Sequence, residues 1–100
     1  NMPSVNHHAN VPRQRAEWMR PTDDAILEYL RSYGNLTPKA LSNLDVCTRG
    51  HASIRLNTLR EVGFVEYVAD TEGLFKITER GEDYLDEDFD ASTVQPDDSQ

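Results

Sequence analysis

Residues 35–65 read NLTPKALSNLDVCTRGHASIRLNTLREVGFV, and the rest of the chain is organised around them. Thr37-Pro38 opens a helix, because a Thr oxygen accepts from an otherwise unpartnered amide and Pro at the first helical position loses no intrahelical bond. Ala40, Leu41 and Leu44 then form one apolar stripe. Asp45-Val46-Cys47 interrupts it, Thr48 is a second cap, and a longer helix is expected over 49–62 with Gly63 as a left-handed stop. Two short amphipathic helices joined by a tight turn make the helix-turn-helix pattern. Neither can bury its apolar face alone, so a third helix and a hairpin are expected behind them.

Periodicity sets the rotation of the longer helix. Ala52, Leu56 and Leu59 lie at i, i+4 and i+7, clustered within about 60° at about 100° per residue. With these inward, Gly50, Ile54, Asn57 and Glu61 centre the outer face, with His51 and Thr58 beside them. Arg49, Ser53 and Arg60 fall on one flank and Arg55 on the other. The opposite rotation would bury Asn57, Thr58 and Glu61 while exposing two leucines, so it is rejected.

A chain of 100 residues with 37% apolar content builds one domain with a modest core, too small to engulf a substrate. The single Cys47 excludes a disulfide within the chain. With no signal-peptide or membrane-span pattern, a soluble cytoplasmic protein is expected.

The net charge of −8 argues at first against nucleic acid, since phosphate neutralisation supplies most sequence-independent affinity. Its distribution reverses that reading. Residues 79–100 carry nine acids and the single base Arg80, whereas residues 1–78 hold nine of each sign. Within 37–60, Lys39, Arg49, Arg55 and Arg60 stand against Asp45 alone, an excess of +3. Acid-rich surfaces also suit molar salt, where the short screening length lets an acidic protein approach DNA.

Outside the central stretch, residues 1–15 read as a flexible leader, 16–87 as the domain and 88–100 as an acidic disordered tail. Trp18-Met19 either staples the leader to the core or makes a dimer contact, and Arg13, Arg15 and Arg20 are candidates for a basic arm on a DNA backbone. Thr22 is expected to cap a helix with Asp23 and Asp24 in its first turn and Ile26, Leu27, Leu30 and Tyr33 along its stripe; Gly34 ends it. Phe64–Ala69 alternates as a strand, Asp70-Thr71-Glu72-Gly73 is turn chemistry, and Leu74–Ile77 returns. Thr78 caps a final helix from Glu79 to about Leu85.

Helix, helix-turn-helix, two-stranded hairpin, helix is the plan of a winged helix-turn-helix: α+β, mainly α, with a three-helix core, a wing and a C-terminal helix. The stretches WMRPTDDAILEYL, GNLTPKALSNLDV, RLNTLREVGFVEYV and FKITERGEDYL resemble haloarchaeal regulators related to the phage phi-H repressor, akin to the MarR and ArsR types. The resemblance covers about Trp18 to Asp90. It implies a dimeric DNA-binding transcriptional regulator from a salt-adapted organism. Relatives of this kind tend to carry Arg at the position of Ile54, which makes the centre of the outer face here apolar, suited to a thymine methyl rather than guanine. The wing tip is acidic, so deep insertion of the wing into the minor groove is not expected.

On this reading Gly50, His51, Ile54 and Asn57 face base edges, and Lys39, Thr48, Arg49, Ser53, Arg55 and Lys76 hold the backbone of double-stranded DNA. A homodimer would pair through Trp18, Met19 and Tyr29, or through Tyr84, Leu85 and Phe89. The competing reading is a protein-assembly module that never touches DNA. Cys47 and His51 stand four apart without a third orienting group, so catalysis is not expected. Neither His7-His8 nor the carboxylates of 83–90 has metal-ligand spacing, and neither a cofactor nor a small-molecule ligand is expected.

Overall fold

The computed structural model describes residues 15–96. All of the leader but Arg15, including His7-His8 and Arg13, and residues 97–100 of the tail lie outside this range.

Helix α1 spans Pro21–Tyr33, α2 Pro38–Asn43 and α3 Arg49–Glu61; strands β1 (Val65–Tyr67) and β2 (Phe75–Ile77) follow, then α4 (Glu79–Leu85) and a 3-10 turn at Ala91–Thr93. This is the mainly helical winged plan expected from the sequence.

Three threonines set the helix starts. Thr37 Oγ1 accepts from Ala40 N at 3.0 Å, Thr48 Oγ1 from His51 N at 3.2 Å and Thr78 Oγ1 from Gly81 N at 3.1 Å. Each satisfies an amide that the helix itself leaves unpaired. Thr22 does not act this way. Helix α1 begins earlier, with Arg20 as the cap residue and Pro21 at its first position, because the locked φ of Pro suits that place. The Asp23 carboxylate then takes up the free amide, accepting from Arg20 N at 2.9 Å.

Ile26, Leu27, Leu30, Leu41, Ala52, Leu56, Leu59, Phe64 and Val65 are each 1% exposed or less. Burying each large aliphatic or aromatic side chain contributes about 1.5–3 kcal/mol, so these positions supply most of the cohesion. Tyr33, expected on the same stripe as Ile26, is 60% exposed, because α1 ends there at the rim of the core. Gly63 (φ 86°) turns the chain out of α3 into β1, as expected.

The wing is shorter than the alternating pattern suggested. β1 and β2 pair antiparallel with Val65 opposite Ile77 and Tyr67 opposite Phe75, and the chain leaves the ladder at Ala69 (φ 52°). Leu36 forms an unforeseen bridge to the other edge of β2, donating to Phe75 O at 3.0 Å and accepting from Phe75 N at 2.9 Å. It satisfies backbone groups that an edge strand otherwise leaves open.

Residues 88–96, expected to fray, instead close the core. Trp18 Nε1 donates to Val94 O at 3.0 Å and to Ala91 O at 3.3 Å, and Asp90 Oδ1 accepts from Ser92 N at 3.0 Å, capping the 3-10 turn. The Phe64 ring gathers Trp18 (6.1 Å, tilted), Tyr84 (5.3 Å, stacked) and Phe89 (5.7 Å, edge-on) around it. An acidic composition predicts disorder only where no apolar side chain has a place to go, and Phe89 has one.

This packing takes three of the six expected dimer residues into the core. Met19, Tyr84 and Leu85 are buried within the subunit, and Trp18 and Phe89 are half-buried against its core. Tyr29 is also half-buried, with its ring 5.4 Å from that of Tyr33.

Candidate nucleic-acid interface

Helix α3 is held from behind by Ala52, Leu56 and Leu59, each fully buried, and its opposite side is open. Ile54 at the centre of that side is 62% exposed; Arg49, Gly50, His51 and Asn57 are exposed around it, and Ser53 is half-buried at its margin. The i, i+4, i+7 spacing therefore set the rotation of the helix correctly. Helix α2 packs across α3, with Leu41 fully buried and Lys39 exposed near the start of α2. The connecting turn is closed by Leu44 N to Ala40 O and Val46 N to Leu41 O, both 3.0 Å, with Asp45 at φ 64°.

Two side chains of α3 differ from expectation. Thr58 is buried, with its Oγ1 donating to Ile54 O at 3.1 Å within the same helix. Arg55, expected to hold phosphate, is turned into the protein. Its Nε donates to Asp23 Oδ1 and its second terminal nitrogen to Asp23 Oδ2, both at 2.8 Å, and that nitrogen also donates to Trp18 O at 3.2 Å. The carboxylate is completely buried and the guanidinium nearly so, and a guanidinium closed on an internal carboxylate is not free for an external one. The flank that carries Arg55 faces the start of α1, a pairing across 32 positions that helical periodicity cannot reveal. The one local sign was the pair of acids Asp23-Asp24 beside an apolar stripe. Both are buried: Asp24 Oδ1 accepts from Tyr84 Oη at 2.8 Å, with Arg15 Nε 3.5 Å away.

Among the described residues, the exposed cations on α2 and α3 are Lys39, Arg49 near the start of α3 and Arg60 near its end, where the guanidinium lies 4.7 Å over the Tyr67 ring. On the wing, Lys76 stands opposite Glu66 with Nζ 3.5 Å from its carboxylate, and Asp70 and Glu72 are exposed at the tip. The wing therefore presents carboxylates outermost.

Cys47 lies in the turn with Ser42, Asp45 and Thr48 around a shallow depression. Burial, and secondarily the charge of Asp23, pushes its thiol pKa up, away from the thiolate that nucleophilic chemistry needs. Among the described residues no three His, Cys, Asp or Glu side chains converge on a point that could hold a metal ion.

A family model described as the winged helix-turn-helix phage repressor domain matches residues 12–97. The chain belongs to that family. It is a family of regulatory, repressor-like winged-helix domains and not one of enzymes. The crystal structure of the PhiH1 repressor-like protein from Haloarcula marismortui is similar over 87% of this chain and 99% of its own, at 35% identity and a TM-score of 0.76. No curated protein matches. No described helix of this phage-repressor domain is long and apolar enough to cross a membrane.

Proposed function

We propose that the protein is a sequence-specific double-stranded DNA-binding transcriptional regulator, acting as a repressor in the cytoplasm, with α3 laid in the major groove. One observation carries the reading: the core grips α3 through Ala52, Leu56 and Leu59 while Ile54 is left 62% exposed at the middle of the free face. Ile54 suits a thymine methyl, and Asn57 and His51 reach base edges from either side of it. Gly50 lets the backbone come close. Lys39, Arg49, Thr48 and Ser53 meet phosphates, and Lys76 is the wing's contribution once it leaves Glu66. Membership of a phage-repressor family supports the same conclusion.

One α3 spans only a few base pairs, so the working unit is a homodimer on a two-fold site. With Met19, Tyr84 and Leu85 inside the subunit, the α1 surface around Tyr29 and Tyr33 is its contact. A sedimentation run showing only monomer at micromolar concentration removes the dimer.

The low local charge and the acidic wing tip favour a second reading, a protein-assembly module without DNA contact. Fluorescence anisotropy with duplexes selected from a random pool, repeated from low to molar KCl, separates the two. Selective binding at any salt supports the regulator, and no binding at every salt leaves the assembly module.

A further inference from the structure

We propose that Arg55 is a positioning residue: its guanidinium, locked on the buried Asp23 carboxylate, sets the rotation of α3 and so decides which side chains of that helix face the duplex. The proposal deepens the DNA-reading role given above and rests on it for its functional half.

The aliphatic grip on α3 specifies that rotation only loosely. Apolar contact is non-directional, and Ala52, nearest the reading end, offers a single methyl to hold. A rotation of about 20° at a side-chain radius of about 5 Å moves a tip by nearly 2 Å. That exceeds the tolerance of a hydrogen bond to a base edge. The Arg55–Asp23 contact is directional. Two parallel bonds of 2.8 Å fix the plane of the guanidinium, and the bond to Trp18 O at 3.2 Å ties the same group to the segment ahead of α1. Asp23 is anchored in turn, since its Oδ2 also accepts from Arg20 N at 2.9 Å. The clamp joins α3 to the start of α1 through the residue next to Ile54.

Stability alone does not account for placing this pair here. A buried ion pair loses about as much to desolvation as it regains, and well-packed apolar replacements are often neutral or stabilising. Setting a register is the best-attested use of such a pair. Being shielded from solvent, the clamp also keeps its strength in salt that screens surface pairs.

The test uses Arg55→Lys, which keeps the charge but loses the fork, and the double variant Arg55→Met with Asp23→Asn, which removes both buried charges while Asn can still accept from Arg20 N. Urea unfolding first establishes that each variant is folded. Amide NMR shifts along α3, read without DNA, and anisotropy on a duplex selected by the wild type against a scrambled duplex then provide independent readouts. Expected for both variants are shifted Ile54 and Asn57 amides and a loss of about tenfold or more in the selected-to-scrambled affinity ratio, with affinity for the scrambled duplex within about twofold. Wild-type amide positions in the folded double variant, or full selectivity in Arg55→Lys, overturn the positioning role. A wild type that selects no duplex overturns the DNA reading instead, and the amide shifts still decide whether the clamp sets the helix.

Discussion

Tyr84 Oη donates a 2.8 Å hydrogen bond to Asp24 Oδ1 across 60 positions, joining α4 to the first turn of α1 inside the core. The Tyr84 ring is stacked on Phe64, so removing only its hydroxyl isolates the bond from the packing. Tyr84→Phe should destabilise the fold by about 1–3 kcal/mol, because a buried carboxylate loses a partner. Urea unfolding followed by circular dichroism measures it; an unchanged midpoint would show that Asp24 is satisfied without the tyrosine.

Gly81 leaves no room for a side chain. A Cβ there would press on the carbonyl oxygen of Phe64 and come within 2.8 Å of Ile77 Cγ1. Gly81→Ala should therefore destabilise by about 1–3 kcal/mol despite the higher helix propensity of Ala. A thermal melt at or above that of the wild type would contradict the close approach of α4 to Phe64 and to Ile77 of β2.

Gly50 is the opposite case. Nothing lies within 4 Å of a Cβ placed there, and the residue sits in the first turn of α3. Gly50→Ala should raise stability by up to about 1 kcal/mol. If the α3 backbone lies close to DNA at this point, the same change weakens binding to a selected duplex. Gain in stability with unchanged affinity would place the helix start away from the groove.

Salt dependence distinguishes the two arginines. Arg49 is exposed and Arg55 is closed on Asp23. Arg49→Gln should lower affinity for selected and scrambled duplexes alike and reduce the log–log salt slope by about 0.9 per protomer. The double variant Arg55→Met with Asp23→Asn should leave that slope unchanged. An equal reduction in slope for Arg49→Gln and for the double variant would mean that Arg55 leaves Asp23 on binding.

The Cys47 thiol is pushed above its ordinary value by burial and by the Asp23 charge, so folding favours its neutral form. The stabilisation is complete below the pH at which the unfolded thiol ionises and is lost as the pH rises through the higher folded value. Stability should decline on the alkaline side of about pH 9, with a shallower decline in Cys47→Ala. Alkylation at pH 8 should be slower in the native protein than in urea. Equal rates would place the thiol in open solvent.

Features settled within a few residues are legible in the sequence. Thr37, Thr48 and Thr78 cap the helices assigned to them, and the α4 limits were read directly from Thr78 and the Tyr84-Leu85 pair. The spacing of Ala52, Leu56 and Leu59 marks the buried side of α3 and leaves Ile54 and Asn57 on its free side. Helix α1 starts at Pro21 and not after the expected cap Thr22, because the fixed φ of Pro suits the first helical position. The acidic composition of 88–96 does not reveal that the Phe89 ring packs on Phe64 and that the carbonyls of Ala91 and Val94 accept from Trp18.

Caps, helical periods and glycine stops act between residues a few positions apart, so their chemistry lies in the order of the amino acids: three helices, a wing, a closing helix and which side of α3 is apolar. The partners of Arg55, Tyr84 and Trp18 stand 32, 60 and 76 positions away. No local rule connects such distances; a hydrogen bond forms there because packing brings both groups within about 3 Å at the right angle. That coincidence in space turned a candidate phosphate-binding arginine inward, drew Met19, Tyr84 and Leu85 of the expected dimer residues into the core and, among the described residues, left Lys39, Arg49 and Arg60 as exposed cations near the free face of α3.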